Sequence, residues 1–114
     1  MSRYTPKPNA WYTVIKDGRF FDPKPSLRLI NHSPDGFAWG YGGSGPAQFA
    51  LGLLLDVTGN PKFAMQHYQK FKFDVIAHLP QEGGWTLTTE DIEAWIENWV
   101  LNPKLNIEEG SITR

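Results

Sequence analysis

From Ala47 to Leu55 the chain carries one polar side chain, Gln48. A helix that is apolar on every side is a buried helix, so this stretch predicts the centre of the core. Pro46 suits the first helical position, where a missing N–H costs nothing. "TGNP" (residues 58–61) ends this helix and opens a second, from Pro61 to about Leu79. There Ala64, Tyr68, Phe71, Val75 and Leu79 form one stripe at three- and four-residue steps. A third helix begins at Thr88, which with Asp91 spells a capping box. Ile92, Trp95, Ile96, Trp99 and Val100 are its apolar face, and Asn102-Pro103 its stop.

The N-terminal part has a different period. Residues 1–9 hold two prolines and few apolar groups, which reads as a loose arm. "AWYTVIKDGRFFD" alternates from Trp11 to Lys16, turns at Asp17-Gly18 and returns through Phe20 and Phe21. That is a hairpin, because a two-residue turn needs positive φ at both central positions. "PKPS" stops the return strand. "LRLIN" (residues 27–31) alternates and predicts a third strand, and "WTL" (residues 85–87) a further short one. "FAWGY" (residues 37–41) is a brief extended aromatic piece. The expected fold class is α+β: one domain over residues 1–114, a small antiparallel sheet packed on three helices. The first helix is central and the residues after 102 form a weakly patterned tail.

Composition narrows the class of protein. There is no cysteine, so no disulfide, thiolate metal site or cysteine nucleophile. No apolar signal region opens the chain, and the longest apolar run falls far short of the roughly 20 residues of a membrane span. These features predict a soluble cytoplasmic protein without a membrane partner. Six cations face two acids within residues 1–31, and two face seven within residues 82–114. Such polarity suits head-to-tail homo-oligomers or a basic face for an anion. The basic excess is too small and too dispersed for extended nucleic acid.

The chemistry concentrates in "WGYGGSGPAQ" (residues 39–48). It is not a P-loop, since no Gly-Lys-Ser/Thr follows, and not a nucleophile elbow, since Pro46 stands where glycine is needed. What it offers is a helix start with unpaired N–H groups and partial positive charge, approached through glycines. In that reading the backbone amides of Gly43 to Ala47, Gly45 among them, hold a negative group beside Gly42, with side-chain bonds from Ser44 and Gln48. Trp39 or Tyr41 stacks on a ring, and Arg28 or His32 balances charge. The competing reading is a self-capped tight turn with core aromatics. His32, His67 and His78 show no metal-ligand spacing, no cofactor is expected, and no acid pair marks a catalytic centre.

"SLRLINHSPDGFAWGYGGSGPAQFALGLLLDVTGN", "HYQKFKFDVIAHLP" and "WTLTTEDIEAWI" resemble the bacterial and phage family known as domain of unknown function 6166. The resemblance spans roughly residues 12–97, and its recurring block includes Asn31, His32, Ser33, Pro34, Trp39 and Gly42 to Gln48. It implies a small stand-alone protein common on phages and mobile elements, and it supplies no functional residues. The expected function is therefore non-enzymatic binding of a small anionic or nucleotide-like ligand, as in counter-defence proteins that sequester host signals. The alternative is an interaction module that inhibits or bridges a host protein. A third is a hydrolase-like enzyme using Ser44 with His32 as its base.

Overall fold

The computed structural model describes residues 1–10 and 12–102. The loss of solvent around the leucine block organises them. Helix α2 (Ser44–Thr58) buries Phe49, Ala50, Leu51, Leu53 and Leu54 completely. Its left-handed cap at Gly59 and the Asn60 side-chain cap of α3 (Pro61–Asp74) turn the chain back at once. A connection this short makes the two helices antiparallel neighbours. Ala64, Tyr68 and Phe71 pack from α3 onto α2 as the stripe predicts. The predicted second helix runs to Leu79, but the helix breaks at Val75 and continues as a 3₁₀ turn, Ile76–His78. Helix α4 (Thr89–Ile96) starts with both halves of the Thr88–Asp91 capping box and ends in a widened π turn, Glu97–Leu101.

The architecture is α+β, with a four-stranded antiparallel sheet in the order β3-β2-β1-β4. The hairpin is β2 (Val14–Lys16) and β3 (Arg19–Phe20), joined through Asp17 at φ 51° and Gly18 at φ 81°. Two expectations for the N-terminal part are corrected. Residues 1–9 are not a loose arm: β1 (Arg3–Pro6) lies in the middle of the sheet, and Tyr4 is fully buried. Its partners are Val14–Lys16 on one side and β4 (Leu87–Thr88) on the other, and β4 lies too far along the chain for a local pattern to announce. Residues 27–31 are not a strand either. Leu27, Arg28 and Leu29 belong to a one-and-a-half-turn helix, α1 (Lys24–Leu29), which has Pro25 in its first turn. So short a segment alternates and repeats at helical spacing equally well. The predicted strand start at Trp11, the stop at Pro103 and the tail lie outside the described residues. Because β1 sits between β2 and β4, the basic N-terminal third and the start of the acidic last third are neighbours, not opposite poles.

Tyr4 ties the sheet to the core helix. Its hydroxyl donates to Asp56 Oδ2 at 2.6 Å, and Lys16 Nζ stands 2.7 Å from the same oxygen. Burial, then the adjacent Asp56, pushes the Tyr4 hydroxyl well above the usual phenol range. The folded state therefore keeps a proton that the unfolded chain releases near the ordinary value of about 10. The stability this represents is present below about pH 10 and is lost as the pH rises further, at about 1.4 kcal/mol per pH unit. Urea unfolding on both sides of that pH should show the decline. Tyr4→Phe, less stable at neutral pH, should show a shallower one.

Candidate functional site

The glycine loop is fixed to its surroundings at both ends. The N–H of Ala38 donates to the carbonyl of Gly45 at 3.2 Å, which lays the extended aromatic segment across the start of α2. A Cβ at Gly45 would stand 2.5 Å from Ala38 Cβ, so this close approach requires glycine. The N–H of Gly40 donates to the carbonyl of Ile76 at 3.0 Å, anchoring the loop to the segment after α3. The start of α2 itself is uncompensated. Gly43 provides no side-chain cap, and the first turn holds no acidic residue. The N–H groups of Ser44 and Gly45 have no acceptor among the described residues. Ser44 is exposed and Gly45 buried.

One turn further on, Gln48 is fully buried and all its hydrogen-bonding capacity is used. Its Nε2 donates to Ser26 Oγ at 2.9 Å and to the Ile30 carbonyl at 3.1 Å. Its Oε1 accepts from the N–H of His32 at 2.8 Å and of Ser33 at 3.1 Å. His32 Nε2 lies 2.6 Å from the hydroxyl of Tyr68. The structure thus brings Gln48 and His32 together, but both are engaged in holding residues 26–33 against α2 and α3. No hydrogen bond joins Ser44 to His32, the arrangement a serine nucleophile would need. Arg28 is exposed on α1, and its side chain makes no hydrogen bond or ion pair with the described residues.

Trp39 and Tyr41 have a different setting. Both line a cavity of about 1270 Å³ between the β1–β2 connection and the loop that precedes β4. Tyr12 and Trp85 complete its aromatic wall, and Lys7 and Glu82 bring one charge of each sign. The indoles of Trp39 and Trp85 meet edge to face at 5.2 Å, and both rest on Phe49 of α2. The core helix therefore sets the wall in place. Trp85 Nε1 is buried and has no hydrogen-bond partner among the described residues. Gly42, Gly43, Ser44 and Gly45 do not line this cavity. Tyr41 connects it to them, since its hydroxyl lies 3.2 Å from where a Gly45 Cβ would be.

A family model described as "Family of unknown function (DUF6166)" matches residues 4–98. The chain belongs to DUF6166. No curated protein and no solved structure matches it. The matched span of this DUF6166 chain takes in β1 from Tyr4 onward as well as the glycine loop and the whole cavity wall. None of the described helices is long and apolar enough to cross a membrane. Sequence reasoning about the DUF6166 chain missed three residues of interest: Tyr12, Trp85 and Lys72. Tyr12 and Trp85 come to the wall through long-range pairing of the sheet, which leaves no local signal. Lys72 was legible, because it stands four residues after Tyr68 on the face that α3 turns to α2.

Proposed function

We propose that this DUF6166 protein is a non-enzymatic binding protein for a small nucleotide-like ligand, which it sequesters by taking the flat ring among its aromatic side chains. The observation that carries the reading is the cavity walled by Trp39, Tyr41, Tyr12 and Trp85. Ligand sites are concave, mainly apolar and furnished with a few polar groups, with volumes of about 300–1,000 Å³. This cavity is roomy enough for such a ligand. Aromatic faces stack on a base whatever its identity.

The test is a melting-temperature screen with nucleosides, nucleotides, cyclic dinucleotides and ADP-ribose derivatives. A ligand at 100 times its dissociation constant adds about 2.7 kcal/mol of stability. Tyr41 is 44% exposed, so Tyr41→Ala should melt near the native temperature. It should also bind at least about tenfold more weakly, the lower end of the loss expected for one stacking ring. Ligand recovered unchanged fits a sequestering protein, whereas a converted ligand makes the protein an enzyme.

A second reading, an interaction module, draws on the hairpin region, where Phe20 is 62% and Tyr12 50% exposed. It gains if no compound shifts the melting temperature and light scattering shows a dimer that Phe20→Ser dissolves.

A further inference from the structure

Lys72 is the one lysine or arginine buried among the described residues, with 7% of its surface exposed, and its Nζ keeps contact with solvent. It takes part in neither ion pair found among them, Lys16–Asp56 and Lys70–Asp74. Its ammonium makes no hydrogen bond there, and its one polar contact is with a ring: Nζ lies 4.1 Å from the centroid of Phe73. That same ring lies 3.5 Å from where a Gly42 Cβ would be. The ammonium and the glycine loop therefore meet at one phenyl ring. The helix pairing agrees. Counting outward from the tight turn between the antiparallel helices α2 and α3, Lys72 stands level with Ala47, in the first turn of α2.

We propose that Lys72 and the start of α2 form an anion subsite that holds a phosphoryl group. The group's oxygens would accept from Lys72 Nζ and from the N–H groups of Ser44 and Gly45, with Ser44 Oγ beside them. The electrostatics ask for such a guest. A helix start carries partial positive charge, and the Lys72 ammonium shares the Phe73 ring with the loop that leads into it. No side-chain cap or first-turn carboxylate offsets either. Lys72 also lies in the last turn of α3, whose carbonyl end favours a cation. That offsets part of the cost without giving Nζ a hydrogen-bond acceptor. A tetrahedral dianion between the two would satisfy amides and ammonium together. Tyr41 makes this site continuous with the cavity, since its ring lines the one and its hydroxyl lies against the other. The inference deepens the ligand-binding reading and assigns it a phosphorylated ligand, yet it rests on a separate set of atoms.

The experiment is a titration of the full chain with inorganic phosphate and then pyrophosphate at constant ionic strength, followed by amide NMR. The expected result is a saturable shift of the Ser44 and Gly45 amides. In Lys72→Met, which keeps the buried stem, binding should weaken at least about tenfold, the loss of one charge-assisted bond. The melting temperature of that variant reports whether it folds, and the native amide shifts decide the matter if it does not. Silent Ser44 and Gly45 amides overturn the proposal, as does a folded Lys72→Met that binds phosphate like the native chain. An uncharged nucleoside added to the same sample reports on the cavity through the indole signals of Trp39 and Trp85. Nucleoside binding with silent phosphate overturns the anion subsite alone. Phosphate binding with a silent nucleoside overturns the cavity reading alone.

Discussion

Gln48→Leu should lower the stability of the chain by about 3–5 kcal/mol, among the largest effects of any single substitution in it. The two side chains are similar in size, so little of this comes from a cavity. It comes from four polar groups that lose their partner at once: the N–H groups of His32 and Ser33, the carbonyl of Ile30 and the hydroxyl of Ser26. An unsatisfied buried group costs about 1–3 kcal/mol. Ser26 keeps its bond to the Pro23 carbonyl, and water reaches some of the rest, so the sum stays below four full penalties. In a domain this small each kcal/mol lowers the melting temperature by about 4–8 °C, so a drop of at least about 12 °C is expected by calorimetry. Gln48→Glu separates the two halves of the network. It keeps the acceptor for His32 and Ser33 but sets a carboxylate against the Ile30 carbonyl. It should be as damaging as leucine at neutral pH and recover in part in acid, where a protonated carboxyl donates again. A loss of only a few degrees in both variants would mean that residues 26–33 are held by packing alone.

This network also shows where sequence reasoning succeeds and stops. The leucine block revealed a buried helix because burial on all sides needs no knowledge of the neighbours. The capping box at Thr88 and the Asp17-Gly18 turn are likewise local chemistry, complete within four residues. Strand β1 is the opposite case. Pro6 within it and Pro8 just after it argue against a ladder, and only pairing with β2 and β4 makes it a strand. In the site, the nearness of Trp39 and Tyr41 to the helix start is legible from their place before it, and both line the cavity. Gln48 was legible as polar and out of place in an apolar run, but not as saturated, because its partners are three backbone groups and a hydroxyl fifteen or more residues away. The glycine loop combines close packing with unpaired donors. Gly40 and Gly45 serve tight packing, while the amides of Ser44 and Gly45 stay unpaired.

Gly40→Ala should cost about 2–4 kcal/mol and should also weaken ligand binding. Its φ of +86° lies where a side chain is strained, a cost of order 1–3 kcal/mol. A Cβ there would stand 2.9 Å from the carbonyl oxygen of Leu79 and 3.3 Å from the backbone nitrogen of Gln81. Both are main-chain atoms, so relief requires the segment after α3 to move. That motion pulls on the bond from Gly40 N–H to the Ile76 carbonyl. It also carries Pro80 and Gln81 away from Trp39 and Tyr41, which share the cavity wall with them. Gly83→Ala is the control. Its φ of +92° is just as unfavourable, but nothing lies within 4 Å of the added carbon. Thermal unfolding of the two variants therefore subtracts the backbone strain and leaves the contact. Fluorescence quenching of Trp39 and Trp85 then reads the cavity directly. If both variants melt alike and quench alike, the Gly40 contact does not hold the wall, and the cavity owes its shape to Phe49 and the sheet alone.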